Sequence, residues 1–316
     1  MNAGAHIPVH VLAGFLGSGK TTLLNRLLAS PALGDSAVIV NEFGEIAVDH
    51  AMITEAAEET MILKSGCICC SVRGDLVDSL SDLAGRRNAS AVPPFARVVV
   101  ETTGLADPGP ILQTLATDPA LTGRYRAGSV TATVDAVNGP GQIGRHEEAR
   151  RQIAAADRIV ITKLDIADGG AETSLAETVA RINPGCPVLP AAAVDAGTLT
   201  APAAPAFRHV DAESHGHGSG IAAHCLVLER PLRWAGFVRW LDSLTALRGS
   251  DVLRIKGIVR TCEFDRPVAV NGIHHLLHPP TPLDAWPDGR RETRLVIIAD
   301  GIDGIDLRAG LEAAGA

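Results

Sequence analysis

The sequence predicts an α/β fold, a mostly parallel sheet with helices on both faces, followed by a smaller α+β domain. Three observations lead there. Apolar, strand-length runs alternate with helical stretches through the first two-thirds of the chain, the order a parallel sheet imposes because each crossover needs a connecting element. A glycine-rich turn stands between the first such run and the first helical stretch. A segment at 201–220, rich in Pro, Ala, Gly, Ser and His and without apolar periodicity, then reads as a linker. The 316 residues divide accordingly into a first domain at 1–200, the linker at 201–220 and a second domain at 221–316.

Element by element, Ile7 to Leu12 reads as a strand and Lys20 to Ala29 as the helix after it. Ala37 to Val40, Met61 to Leu63, Arg97 to Val100, Ser129 to Val134 and Arg158 to Thr162 are further short apolar strands. Helical patterns lie between them, notably Asp75 to Arg87 and Glu147 to Ala156, and Val188 to Pro190 is placed to close the sheet. Beyond the linker come a strand near Cys225 to Leu228, a helix from Trp234 to Leu247, and strands near Val252 to Val259, Val268 to Ile273 and Leu295 to Ile298. A last helix starts near Leu307.

Composition narrows the function classes. Hydrophobic residues are 46% and charged residues 20%, as in a soluble globular chain. Aromatics are only 3%, so aliphatic side chains must fill the core. A net charge of −8 offers no basic footprint for nucleic acid and no polybasic membrane anchor. Met1 to Val9 lack a basic stretch followed by a long apolar run, and no apolar segment reaches the roughly 18 residues that span a bilayer. A cytoplasmic protein with reduced thiols is expected.

The chemistry begins at the glycine-rich turn. Gly14-Phe-Leu-Gly17-Ser18-Gly19-Lys20-Thr21 fits G-x-x-x-x-G-K-[ST] and stands after a strand and at the start of a helix, where the mechanism needs it. Glycines there let backbone N–H groups converge on phosphate oxygens. Lys20 supplies charge toward the β- and γ-phosphates, the Thr21 hydroxyl can ligate Mg²⁺, and the helix N-terminus adds partial positive charge. The first domain is therefore expected to be a P-loop NTPase.

The base is addressed by Thr162-Lys163-Leu164-Asp165, directly after a strand. A carboxylate at Asp165 can accept from the N1–H and exocyclic amine of guanine; adenine lacks that donor pair, so the site would reject it. Lys163 can lay its stem along the base. Thr162 departs from the usual Asn-Lys-x-Asp, and so short a string also suits a helix cap. GTP is the expected substrate.

Cys67-Ile68-Cys69-Cys70 places three thiols within four positions, expected in one turn or tight loop. Thiolates that close suit Zn²⁺ or a neighbouring first-row cation. No second cysteine pair completes a structural zinc set, which favours an exchangeable site. Two other readings stay open: Cys67 and Cys70 form C-x-x-C ahead of a helix, which suits redox chemistry, and buried cysteines can be plain small hydrophobes. The isolated Cys186, Cys225 and Cys262 are expected to be buried hydrophobes.

Two acidic strings complete the set. Asn41-Glu42-Phe43-Gly44-Glu45, with Asp49 beyond, falls between the P-loop helix and the cysteines, where P-loop GTPases carry a γ-phosphate-sensing switch. Glu101-Thr102-Thr103-Gly104 follows a strand; Glu101 can hold the Mg²⁺ shell or the attacking water, and the Gly104 N–H can approach the γ-phosphate.

Taken in order, GFLGSGKTTLL from Gly14, NEFGE from Asn41, GCICC from Gly66, ETTGLADP from Glu101 and TKLD from Thr162 resemble the CobW-type metal-chaperone GTPases, kin to HypB and UreG. LRIKGIV from Leu253, RPVAVNGIHHLLHPP from Arg266 and DAWPDG from Asp284 look like that family's C-terminal domain. The resemblance implies a SIMIBI-class P-loop fold, nucleotide binding by Gly17 to Thr22, and base reading by Lys163 and Asp165. It implies metal binding by Cys67, Cys69 and Cys70 with Glu42 as a further ligand. It also implies delivery of zinc, cobalt or a related metal to a client metalloprotein, and leaves room for a homodimer. The family's long His-rich stretch is reduced here to His215-Gly-His217, more simply an inert linker feature. His274, His275 and His278 read as packing or surface residues. The rival classes are a GTP-regulated thiol redox switch, a cobalt, iron or nickel insertase, and a small-molecule kinase.

Overall fold

The structure, a computed structural model, describes residues 6–41, 61–62, 68–72, 76–201 and 220–315. By contact density the chain divides into two units. One takes in Met1–Gln152, Ala156–Leu175 and Val188–Ala203, the other Ile153–Ala155, Ala176–Pro187 and Ala204–Ala316.

Over residues 6–201, β1 (Ile7–Gly14) leads through the phosphate loop into α1 (Lys20–Leu28), then to β2 (Ser36–Asn41). Next come β3 (Met61–Ile62), β4 (Ile68–Val72), α2 (Leu76–Asn88), β5 (Arg97–Glu101), α3 (Pro108–Thr117) and β6 (Tyr125–Asp135). The series ends with α4 (Gly139–Arg145), α5 (Glu147–Ala155), β7 (Arg158–Thr162), α6 (Ala171–Ile182), β8 (Val188–Pro190) and α7 (Ala196–Thr200). The sheet order is β3-β4-β2-β5-β1-β6-β7-β8. All neighbours are parallel except β3, which runs antiparallel to β4 at the edge.

The chain steps one way along the sheet from β1 to β2 and the other way from β5 to β6. Right-handed crossovers therefore put α1 and α3 on opposite faces, and the reversal lies beside β1. The buried Leu23, Leu24, Leu27 and Leu28 of α1 pack on Leu12, Val38, Val99 and Val160 of the central strands. Each such side chain contributes about 1.5–3 kcal/mol by burial, so α1 and the loop before it are tied to the sheet's middle.

Predicted strands and helices agree with these bounds to within a few residues, with one exception. The cysteine string, expected in a turn, has strand backbone over Ile68–Val72. It pairs in parallel with β2, Cys69 opposite Val38 and Cys70 opposite Ile39. A row of β-branched and small apolar residues supports a strand; read as ligands, the cysteines concealed it.

At the sheet end away from the phosphate loop, His10 is buried beside Ser129, whose hydroxyl lies 2.9 Å from Nδ1 and whose backbone N–H donates to Nδ1 at 3.2 Å. Arg158 is buried there too, donating to Ser129 Oγ, to the Leu199 carbonyl and to the Ala201 carbonyl. Burial, reinforced by the charge of Arg158, lowers the His10 pKa from 6.5 to about 4. A lowered folded-state value means that between pH 6.5 and 4 the unfolded chain takes up a proton the folded chain refuses. Stability should then fall by roughly 1 kcal/mol per pH unit across that window as pH drops. The urea midpoint of His10→Asn should lose that slope; an unchanged slope would show that His10 is not its source.

The second domain contains β9 (Ile221–Leu228), α8 (Trp234–Arg248), β10 (Val252–Val259), β11 (Val268–Ile273), β12 (Leu276–Leu277), β13 (Thr281–Pro282), β14 (Thr293–Asp300) and α9 (Gly304–Ala314). The sheet order is β12-β11-β10-β14-β9, with β13 on β11, and every pairing is antiparallel. Phe237 and Leu241 of α8 and Leu307 and Leu311 of α9 pack with Leu226, Ile255 and Ile297 of the sheet. The cysteine expectation needs correction here. Cys186 and Cys225 are only partly buried and Cys262 is exposed, its sulfur 3.8 Å from the Pro231 carbonyl, because it lies past the end of β10. His274 occupies a left-handed turn position (φ 51°) and is buried, while His275 contacts the Thr245 carbonyl at 2.9 Å, in keeping with packing roles. Among the described residues, no helix is long and apolar enough to cross a membrane.

Candidate nucleotide and metal site

Strands β5, β1, β6 and β7 deliver their carboxyl ends side by side. Glu101 pairs with Leu12, Gly14 with Thr133, and Asp135 with Thr162. Ligands of open α/β sheets bind at this edge, where the strand order reverses.

The phosphate loop is held from several directions. A Cβ on Gly14 would lie 2.2 Å from Thr133 Oγ1 and 2.7 Å from the Thr133 carbonyl, and φ there is 144°, so only glycine lets the loop leave β1 beside β6. Gly19, at φ 84°, caps α1 in the left-handed region and turns the chain into the helix. The Ser18 and Thr133 hydroxyls meet at 2.6 Å. Phe15 stacks on His146 with centroids 4.7 Å apart, and Gln142 donates to the Leu16 carbonyl at 3.2 Å.

Lys20 is only 8% exposed and donates to the carbonyls of Gly14 at 2.9 Å and Phe15 at 3.2 Å. Burial pushes its pKa down while Glu101 pulls it up. The ammonium is thus already folded over its own loop, as a phosphate-binding lysine must be. The Thr21 hydroxyl donates to Glu101 Oε1 at 2.5 Å, and Glu101 is 4% exposed. Two hard oxygen ligands brought together in a partly buried place are the type Mg²⁺ prefers. Gly104 comes so close to the loop that a Cβ would sit 2.6 Å from the Leu16 amide nitrogen. The sequence thus predicted Lys20, Thr21, Glu101 and Gly104 separately, and tertiary packing brings them into one site.

The Thr162-Lys163-Leu164-Asp165 segment, expected to read the base, stands beside it. Lys163 has left-handed backbone (φ 58°) and its ammonium donates to Asp135 Oδ2 at 2.8 Å. Asp135 is 1% exposed and also accepts from the Val137 and Asn138 amides and the Asn138 side chain. Burial alone would raise its pKa, but these hydrogen bonds, that of Lys163 foremost, prevail and hold it at about 2. Asp165 is exposed, its carboxylate accessible to a ligand. The Thr162 hydroxyl turns away from solvent and donates to the Ser18 carbonyl at 2.7 Å.

Of the expected metal ligands, Glu42 and Cys67 lie outside the described residues, as do Glu45, Asp49, His215 and His217. Cys69 and Cys70 lie on β4. Their strand is next to β2, which is next to β5, so that Ile39 pairs with Cys70 on one side and with Val100 on the other. At about 4.8 Å per strand, the backbone of Cys70 is roughly 10 Å from the strand that carries Glu101.

Sequence reasoning missed Asp135, Thr133 and Gln152. Gln152, 1% exposed, donates to the carbonyls of Gly104 at 3.1 Å and Ala106 at 2.9 Å, bracing the loop after Glu101. Asp135 carried one usable signal: it is an acid that ends a strand, as Glu101 is.

A mononucleotide-binding parallel sheet with this loop, followed by an antiparallel sheet with two helices, defines a P-loop NTPase with an appended α+β domain. The chain belongs to the CobW/HypB/UreG family: residues 8–190 match its nucleotide-binding domain, and residues 221–315 match the cobalamin synthesis protein cobW C-terminal domain. It is 44% identical over 182 residues to the zinc chaperone YjiA of Escherichia coli, covering 58% of this chain and 56% of that protein. It is 28% identical to the zinc chaperone CobW of Pseudomonas aeruginosa over 96% of this chain and 90% of that one. A match to the zinc-regulated GTPase metalloprotein activator 1 of Schizosaccharomyces pombe, at 29% identity, spans 56% of this chain and 44% of that protein. Thus the chain aligns with about half the length of two of these relatives. The crystal structure of Zn(II)-bound YjiA GTPase superimposes with a TM-score of 0.76 at 31% identity, over 98% of this chain and 99% of that one.

Proposed function

We propose that this chain is a GTP-hydrolysing metallochaperone that binds zinc through Cys67, Cys69 and Cys70, with Glu42 as a further ligand, and hands it to a client metalloprotein. What carries the reading is adjacency: the cysteine strand stands two strands from the one ending in Glu101, on the same sheet as the phosphate loop. A small-molecule kinase would give that strand no role. The names of the relatives, zinc chaperones and zinc-regulated activators, support the same choice.

In this reading Lys20 leaves the Gly14 and Phe15 carbonyls for the β- and γ-phosphate oxygens, and the Gly104 amide faces the γ-phosphate. Asp165 accepts from the guanine edge. Thr21 and Glu101 would hold Mg²⁺, which when bound would neutralise phosphate charge. The two ligands are coupled in this reading: GTP strengthens zinc binding, and hydrolysis weakens it and lets a client's ligands compete for the zinc.

Linkage then requires reciprocity: zinc must tighten GTP binding by the factor that GTP tightens zinc binding. A coupling of 1–3 kcal/mol, about 5–150-fold, is the usual range. Competition titration of zinc with a chromophoric chelator, in the presence of a non-hydrolysable GTP analogue or GDP, measures it. Equal zinc affinities in the two states would end the coupled-handoff reading.

A further inference from the structure

Asn is the usual first residue of the base-reading motif; Thr162 stands there instead. The geometry around it explains how the segment works without the amide, on the reading that the substrate is a guanine nucleotide. Two tethers hold the segment. At its start, Thr162 Oγ1 donates to the Ser18 carbonyl inside the phosphate loop, with the Val134 carbonyl 3.3 Å away. One residue on, the Lys163 ammonium is held by Asp135 at the end of the neighbouring strand. Between these anchors the backbone of Lys163 takes up the left-handed conformation that non-glycine residues seldom adopt. Asp165, two residues further, is the exposed carboxylate.

Asp135 is well suited to be an anchor. Its two oxygens accept four hydrogen bonds, three of them from its own turn: the Val137 amide, the Asn138 amide and the Asn138 side chain. Three of the bonds that orient the carboxylate are thus independent of Lys163. Lys163 keeps about a third of its side-chain surface exposed, so its methylene stem stays available to a flat ligand while its charge is occupied. An unanchored lysine would lose rotamer freedom on each binding event; one already held does not.

We propose that Asp135, acting through Lys163, and Thr162, acting through the Ser18 carbonyl, are positioning residues that pre-form the guanine pocket and join it to the phosphate loop. Selection of the base is then a property of a braced segment, and neither residue needs to touch the base.

The test is a double-mutant cycle read on several ligands. Wild type, Asp135→Asn, Lys163→Met, the double variant, Thr162→Val and Thr162→Ser are titrated with GDP, IDP (which lacks the 2-amino group), ADP and inorganic tripolyphosphate. Asp135→Asn should weaken GDP about tenfold and narrow the GDP-over-IDP preference, with tripolyphosphate affected less than threefold. Lys163→Met should add little in the Asp135→Asn background, because the two act as one unit. Thr162→Val should weaken GDP and tripolyphosphate together, since it frees the Ser18 carbonyl, and Thr162→Ser should restore both. Equal losses on GDP, IDP and tripolyphosphate in Asp135→Asn, or full additivity with Lys163→Met, would overturn the proposal. Wild type binding ADP as tightly as GDP would overturn the guanine reading itself, and the proposal with it.

Discussion

Replacing Lys20 with alanine should abolish most GTP turnover, lowering kcat by roughly 10²–10³-fold, the usual loss when one pre-aimed donor to a developing charge is removed. The structure gives the reason. Lys20 is nearly enclosed, and its ammonium is held by the Gly14 and Phe15 carbonyls directly over the loop that must receive the phosphates. That placement is costly for a charge, as its lowered pKa shows, and an incoming polyphosphate restores the counter-charge. Truncation removes the donor and leaves two carbonyls facing the anion. Arginine should not rescue, because the planar guanidinium is larger and its fork does not fit a space shaped for a point charge. The loss of affinity should be greater for GTP than for GDP, since the γ-phosphate depends most on the ammonium. Single-turnover phosphate release alongside a melting curve checks this. A variant with an unchanged melt and turnover within threefold of wild type would remove Lys20 from the mechanism.

The second large effect is expected at the cysteines. A variant with Cys67→Ala, Cys69→Ala and Cys70→Ala, purified under reducing conditions with a non-hydrolysable GTP analogue, should hold no stoichiometric zinc. Four-ligand thiolate and imidazole sites have apparent zinc binding energies of about 10–16 kcal/mol near pH 7. Losing three thiolates leaves one carboxylate of the proposed set, so the greater part of that energy goes with them. Any zinc stimulation of GTP turnover should vanish at the same time, since linkage cannot survive the loss of one site. Metal analysis of both proteins reads the outcome. Zinc content equal to wild type would refute the cluster assignment, and a thiol-to-disulfide change without metal in the wild type would instead favour the redox switch.

Much of the fold was legible because its signals are local. Strands such as Arg158–Thr162 are apolar runs bounded by polar ones, and α1 follows a glycine that only a loop tolerates. The cysteine strand was not legible, because its apolar character was overshadowed by the chemistry of its thiols. Helix α3 opens with Asp107 accepting from the Gly109 amide and Pro108 at its first turn, a start signal that was present but easy to take for loop. For the site, motif spacing picked out Lys20, Thr21, Glu101, Gly104, Lys163 and Asp165 as separate strings. Asp135 and Gln152 could not be found that way, since each acts on a partner far away in the chain: Lys163 is 28 residues from Asp135, and Gly104 is 48 from Gln152.

By itself, then, the sequence determined the fold class and the phosphate loop, and it named the residues that are proposed to bind phosphate, guanine and a thiophilic metal. Those depend on periodicity and on which atoms a side chain carries. Only the tertiary structure decided which of these residues meet. The parallel register sets Glu101, Gly14, Asp135 and Thr162 along one sheet edge, and brings the Thr162 hydroxyl to the phosphate loop. Strand pairing is a contact between distant segments, chosen by the burial of whole faces, so no window of sequence contains it.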